Sequence, residues 1–432
     1  MSDFKPVTIG SISEVTSSKR IFLSDYVESG IPFWRSKEVI EQFNGSEISN
    51  ELFITKDKYD EIKKKFGVPK CGDILVTSVG TIGVPFIIRS DSPFYFKDGN
   101  LTWIKNIVDK VHPKYIFLWI SSSIGQQTID NQLIGSSQKA LTIANLKKIK
   151  VPIPPLPTQK KIAKILSNYD DLIENNLKRI KLLEESARLT YEEWFLRFRI
   201  DGVKLDIDSE TGLPFGWSKV NLDSLISYNI GGGWGEDISS DEFNKDAFVI
   251  RGTDINGIIY GKLENIPYRY HKKSNLLSRK LKHKDIIFEV SGGSRTEGVA
   301  KSLLITDNLL KQFNSDVICA SFCKLVRVSS NENANILYLF FKFLREIKGT
   351  EVFEIRSASS IVNYNWTAFI KHQQMIIPNK KALDDFNQKI DEIYDEIYNL
   401  GYQNQRLKEA RDILLPRLMT GIIDTENMDI KL

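Results

Sequence analysis

The side chains with the clearest chemical capacity in this sequence are hydrogen-bond donors gathered in basic, turn-rich clusters. Four lie early in the chain: Ser17–Arg20, which holds Lys19 and Arg20; Arg35–Lys37; Lys63–Lys65; and Ser136, Ser137, Gln138 and Lys139. Three lie later: Tyr268–Lys273, Arg279–Lys280, and Ser291–Thr296, which holds Ser294, Arg295 and Thr296. In the first of these, Tyr268 and Tyr270 alternate with Arg269 and are followed by Lys272 and Lys273. Guanidinium, ammonium, amide and hydroxyl groups of this kind can bind phosphate oxygens and read base edges in a groove. The competing reading of any one cluster is a solvated loop or helix face. Arg35 and Arg251 occupy matching positions in an internal repeat described below, which favours shared architecture over shared bases.

Covalent chemistry is harder to find. An Asn/Asp-Pro-Pro-Tyr/Phe tetrapeptide, which a DNA methyltransferase of this broad group needs, does not occur. Gly231–Gly235 (GGGWG) lacks the phosphate-loop pattern and a dinucleotide-fold context, and reads as a mobile turn. Asp285–Glu289 is the nearest approach to a nuclease carboxylate pair, but Val290 and Ser291 follow where a lysine is needed. The three cysteines, Cys71, Cys319 and Cys323, have neither zinc spacing nor the even count of a disulfide framework. They fit a reducing cytoplasm, with Cys319 and Cys323 packed in a buried strand. The four histidines are scattered. No catalytic, cofactor-binding or metal-binding residue is therefore assigned. The formal net charge of +4 over 432 residues permits nucleic-acid binding without arguing for it. No apolar run reaches membrane-spanning length, and the first residues lack a signal-peptide pattern, so no membrane partner is expected.

Two long amphipathic stretches must position these clusters. In Thr158–Phe195 the apolar stripe is Ile162, Leu166, Tyr169, Ile173, Asn176, Ile180, Leu183, Ala187, Thr190 and Trp194. In Lys381–Leu415 it is Leu383, Phe386, Ile390, Ile393, Ile397, Leu400, Asn404, Leu407, Arg411 and Leu414. Steps of four and three alternate in both, as in the seam of a coiled coil. Helices of this length span roughly 50–57 Å and need a partner. Asn176 falls at a d position and Asn404 at an a position. An a position packs beside a d position only when helices run antiparallel, so pairing the two Asn residues predicts an antiparallel coiled coil with Asn176 and Asn404 as its register pair. That register sets Leu166 against Leu414 and Ile180 against Leu400.

A β-rich module precedes each stretch, and the two modules repeat one another. Val7-x-Ile9-x-x-Ile12 matches Val220-x-Leu222-x-x-Leu225, and Arg35-Ser36 matches Arg251-Gly252. Lys70–Leu75 matches Lys282–Ile287, and Tyr115–Leu118 matches Tyr338–Phe341. Each module ends in a proline-containing segment before its long helix, Val151–Pro157 in the first. With Phe4 also aligned to Trp217, six such matches in one order make the repeat the most informative feature of the chain. A helix is predicted over Pro113–Ser123, with Pro113 in its first turn. Strands are predicted at Ile74–Val79, Val84–Ile88 and Leu101–Ile104. The fold class is α+β, with two pseudo-repeated α/β domains separated by the two long helices. Two similar modules on antiparallel struts carry an approximate two-fold axis, and such an object can meet two half-sites on duplex DNA about one turn, ~34–36 Å, apart.

Val151–Leu166, from the prolines into the first long helix, resembles a segment of the specificity (S) subunits of type I restriction-modification systems. Ser209–Trp217 resembles that family's entry to its second target-recognition domain, and Arg411–Gly421 resembles its C-terminal ending. The first module lacks a clear Pro-x-Gly-Trp start. The resemblance implies a first target-recognition domain over residues 1–156, a spacer helix over 157–199 and a connector over 200–216. A second target-recognition domain over 217–379, a second spacer helix over 380–420 and a tail over 421–432 follow. It further implies a chain without catalysis of its own, each domain reading one half of a bipartite, asymmetric double-stranded DNA target. The helices would set the spacing and dock two methyltransferase subunits, and restriction/translocase subunits would join that core. No cofactor would be bound by this chain; S-adenosylmethionine, ATP and Mg would belong to the partner subunits. The alternatives are a DNA methyltransferase or nuclease enzyme, and a helical scaffold that binds no DNA.

Overall fold

The computed structural model describes residues 4–43, 48, 51–135, 139–292, 298–356 and 361–425. The chain divides into two compact units, Met1–Asp171 with Lys408–Leu432, and Leu172–Leu407. Two helices of 40 residues each, Leu156–Phe195 and Lys380–Met419, contribute to both units. They are longer than the stretches predicted for them by a few residues, and each begins where its neighbouring sequence dictates. Pro157 sits in the first turn of the first long helix, where its missing N–H costs nothing. The buried Gln159 then accepts from the His112 N–H at 2.8 Å and donates to the carbonyls of Pro154 and Lys110 at 2.8 and 3.1 Å. The second long helix is capped by Asn379, whose Oδ1 accepts from the Ala382 N–H at 3.0 Å.

In the first unit, Lys5–Thr8 pairs antiparallel with Lys150–Ile153, so the proline-containing segment is a strand before it becomes a helix start. A four-stranded antiparallel sheet has the order Glu14–Thr16, Leu101–Lys105, Ile74–Thr77, Pro85–Ile87. A second sheet joins Tyr26–Val27, Phe53–Ile54, Ile31–Trp34 and Tyr95–Phe96, the last pair parallel. The predicted helix forms as Pro113–Ser121 and is followed by a second, Ser123–Asp130. Its Tyr115 hydroxyl donates to the Pro152 carbonyl at 2.7 Å, which ties it to the paired strands. Ile162 and Leu166 of the first long helix share one apolar cluster with Leu415, Leu418 and Met419 of the second. Arg411, the one charge in its stripe, reaches Asp170 at 3.0 Å, and Lys114 meets the same carboxylate at 3.2 Å.

The second unit repeats this plan. Ser218–Asn221 pairs with Gln374–Ile377, and Leu222–Leu225 forms the same short helix as Ile9–Ile12. The antiparallel sheet has the order Ile226–Gly231, Cys323–Val328, Ile286–Glu289, Ser302–Leu304. Lys245–Ile250 runs parallel to Asp316–Cys319, as Ile31–Trp34 does to Tyr95–Phe96. A sheet of Ser291–Gly292, Val362–Tyr364 and Glu354–Arg356 is added here. Cys319 and Cys323 are buried thiols of this core.

Within this unit the long helices run antiparallel. Asn176 meets Gln403, Arg179 meets Glu396 at 2.6 Å, and Trp194 and Phe195 pack on Phe386 with ring centroids 5.5 and 4.9 Å apart. Rising numbers on one helix thus meet falling numbers on the other, in the register the two stripes predict. The register pair itself differs in detail. Asn176 Nδ2 donates to Gln403 Oε1 at 3.4 Å, not to Asn404, because the longer Gln403 side chain reaches it from the adjoining position. Among the described residues, both amide atoms of Asn404 are buried without a hydrogen-bond partner. A buried amide left in that state costs roughly 1–3 kcal/mol.

Two glycines set how closely the second module approaches its helix. Gly261 has φ +75°, and a Cβ there would lie 2.0 Å from the carbonyl oxygen of Gly401. A Cβ on Gly401 would in turn lie 2.9 Å from the Ile259 carbonyl oxygen. Backbone therefore packs on backbone, and only glycine at both positions permits it.

Candidate nucleic-acid interface

The two matching arginines have the same local chemistry. Arg35 follows the strand Ile31–Trp34; its backbone N–H donates to Glu38 at 2.6 Å, and its guanidinium reaches Glu38 at 2.7 Å and Glu51 at 2.9 Å. Arg251 follows Lys245–Ile250; its N–H donates to Asp254 at 2.9 Å, and its guanidinium grips both oxygens of Asp254 and the Asn265 carbonyl. Each carboxylate raises the affinity of its arginine for the proton, and the Glu38 side chain is buried. These are built corners at the ends of equivalent strands, with the backbone N–H, Nε and Nη2 of each arginine engaged inside the protein.

Several other candidates are also committed within the protein. Lys37 pairs with Glu51 at 2.6 Å, and Arg20 with Asp98 at 2.9 Å. The Arg20 side chain is 69% exposed, so that pair is weak and easily exchanged for another anion. Arg269 lies over the Trp234 ring at 4.5 Å and pairs with Asp237, while Lys272 pairs with Glu242. The Tyr268 hydroxyl donates to Asp246 at 2.6 Å; with a second bond from Ser315, this holds the Asp246 carboxyl below its ordinary range. Tyr268 still presents an exposed ring, edge-on to Tyr270 at 6.1 Å. Arg279 Nε donates to the Gly231 carbonyl at 3.0 Å.

Arg279 also explains the glycine run. Gly231 ends a strand, Gly232 N–H donates to the Cys323 carbonyl and Gly233 N–H to the Cys319 carbonyl, each at 2.9 Å. A Cβ on Gly232 would lie 2.1 Å from the Cys319 oxygen. The expected mobile turn is thus a close crossing of two chain segments, held by hydrogen bonds.

What remains available for an external anion is a smaller set. Among the described residues, Lys63, Lys64, Lys139 and Lys273 are exposed and form no ion pair. Lys63 and Lys64 stand in the last turn of the helix Lys56–Phe66. Lys19 Nζ lies 4.7 Å over the ring of Phe66, the last residue of that helix, so the Lys19 and Lys63–Lys65 clusters are brought together. Ser136, Ser137, Gln138, Ser294, Arg295 and Thr296 lie outside the described residues.

The family model described as the type I restriction modification DNA specificity domain matches residues 1–185, the first module and most of the first long helix. A type I restriction enzyme specificity subunit, MjaIX of Methanocaldococcus jannaschii, is 24% identical over 99% of this chain and 98% of its own length. Residues 1–185 thus carry that family's specificity domain, and over nearly its whole length the chain is similar to a type I restriction enzyme specificity subunit. A second relative, the putative type I specificity subunit S.HindORF215P of Haemophilus influenzae, is 33% identical over 44% of this chain and 46% of its own. The crystal structure of a type I S subunit from M. genitalium shares the fold, with a TM-score of 0.54 at 16% identity, over 96% of this chain and 95% of that one. Among the described residues no helix is long and apolar enough to cross a membrane.

Two features of the surface and core are not legible residue by residue. Phe66 and Trp234 are half-exposed aromatic rings under cationic side chains, and the only signal for them is an aromatic near a basic cluster. Lys284, buried in the second unit, carries a signal in the repeat: it occupies the place of Gly72.

Proposed function

We propose that each β-rich module of this subunit reads one half of a split, asymmetric double-stranded DNA target, and that the two long helices fix the gap between the halves. The observation that supports it most is the repetition of one core topology, with different edge strands and different side chains on its surface. Equal scaffolds carrying unequal surfaces suit two different half-sites. The modules are placed at 1–156 and 217–379, served by the helices Leu156–Phe195 and Lys380–Met419, the first of which stops short of the expected residue 199. The chain itself binds no cofactor and performs no chemistry; S-adenosylmethionine, ATP and Mg serve two methyltransferase subunits and the restriction/translocase subunits in the cytoplasm. Leu182 and Leu189 lie exposed at seven-residue spacing on the first long helix, with the exposed Leu196 just past its end, and suit docking of a methyltransferase.

The test is a gel shift of the chain with its methyltransferase against duplexes carrying the cell's methylated sequence and shuffled ones. Saturable binding that prefers the former supports the reading; salt-sensitive binding without preference overturns it. Within the same assay, replacing Lys63 and Lys64 together by Gln should weaken binding to every duplex alike. If both meet phosphate, the slope of log affinity against log salt falls by about 2, and sequence preference is unchanged.

A further inference from the structure

Lys284 is a lysine where its repeat has a glycine. The turns Lys70–Asp73 and Lys282–Asp285 match in sequence, and both place their third residue in the left-handed region, Gly72 at φ +89° and Lys284 at φ +69°. Glycine adopts that backbone freely; lysine does not. The strain is accompanied by a contact that glycine has no means to make. The Lys284 side chain is only 7% exposed, and its ammonium donates to Asn335 Oδ1 at 2.8 Å and pairs with Asp391 of the second long helix. Asn335 Nδ2 in turn donates to Asp391 at 2.8 Å and to Asn387 at 3.0 Å.

The knot is one rung of a ladder. Asp395 accepts from Asn308 Nδ2 at 2.9 Å. Tyr398 donates its hydroxyl to the Leu304 carbonyl at 2.5 Å and accepts from Gln312 at its own carbonyl at 3.1 Å. One turn on, Gly401 packs on the Gly261 turn. Residues 387, 391, 395, 398 and 401 step by four, four, three and three, so they share one face of the helix. That face is polar and directional, unlike an apolar seam, which tolerates sliding and tilting. A row of hydrogen bonds with fixed partners allows one seating of the second module along the helix.

We infer that this ladder, with Lys284 as its strained pivot, is a positioning device that fixes the second module on its helix and thereby sharpens discrimination between half-site gaps. The inference rests on the reading that the two modules read separate half-sites. Lys284 is a positioning residue, since it acts on DNA only through the seating of its module.

The test uses the full chain with its methyltransferase subunit. Duplexes carry the cell's methylated sequence with its native gap, or with one base pair added or removed, and a further duplex carries the second half-site alone. Lys284→Gly adopts the residue of the repeat and relieves the strained backbone while removing the ammonium. It should reduce the preference for the native gap at least fivefold and leave affinity for the isolated half-site within twofold. Lys284→Arg, which keeps the charge, should recover at least half of the preference. Asn308→Ala removes a more exposed rung and should broaden the gap in the same direction, which keeps the test informative if Lys284→Gly does not fold. Lys284→Gly with wild-type gap preference overturns the ladder alone; a wild-type chain with no sequence preference overturns the reading and the ladder together.

Discussion

Exchanging residues 217–379 for the corresponding module of another specificity subunit should replace one half of the recognised sequence and leave the other half intact. Each module has its own apolar core. The first is built round Ile74, Ile104, Tyr115 and Trp119, the second round Phe288, Leu325, Phe341 and Phe369. Each is also closed by its own strand pair, Lys5–Thr8 with Lys150–Ile153 and Ser218–Asn221 with Gln374–Ile377. A module that ends on its own paired strands can be cut out without unpairing its neighbour. A mismatched base pair costs roughly 1–3 kcal/mol, so several in one half-site remove most specific binding to the old target. The exchange therefore reads out as a change of sequence, not as a graded loss. Binding selection from a random duplex pool checks it, and a chimera that alters both halves contradicts it.

Inserting one heptad into each long helix, at matched points of the seam, should move the preferred gap by about three base pairs. Seven residues lengthen a helix by ~10.5 Å, and base pairs stack at ~3.4 Å. A heptad keeps the stripe in phase, so Ile180 and Leu400 stay in the seam of the paired helices. The duplex does not keep phase as well: three base pairs rotate it by roughly 100°, given about 10.5 per turn. Affinity for the widened target should accordingly fall below that of the wild type for its own, while the order of preference reverses. Methylation of a set of duplexes differing only in gap length measures this. An unchanged preferred gap would rule out the helices as spacers.

The parts of this structure legible in the sequence are those set by periodicity and repetition. The two stripes announced the long helices and their opposed direction, because steps of four and three have few other physical uses. The repeat announced one topology twice, since equivalent turns such as Lys70–Asp73 and Lys282–Asp285 keep equivalent backbone. Local pairs were partly legible too: Arg251 and Asp254 stand three apart on one turn. Partners distant in sequence were not. Nothing near Arg269 announces Asp237 and Trp234, some thirty residues away, as the groups that occupy it. Clusters chosen by composition therefore contained structural ion pairs beside free lysines, and only the fold separates Arg35 from Lys63. The seam shows the same limit at finer scale. The register of the helices followed from the two Asn residues, while the bond itself went to Gln403, because side-chain reach is not a property of heptad position.

Everything proposed for the two modules requires that two unlike half-sites be read at a fixed separation. Sequencing methylated bases across the source cell's genome, with this gene intact and deleted, tests it most directly. The account predicts an asymmetric motif of two short defined blocks around an unspecified gap of constant length, fully lost on deletion. A continuous motif, a gap of variable length, or methylation that survives deletion would contradict it.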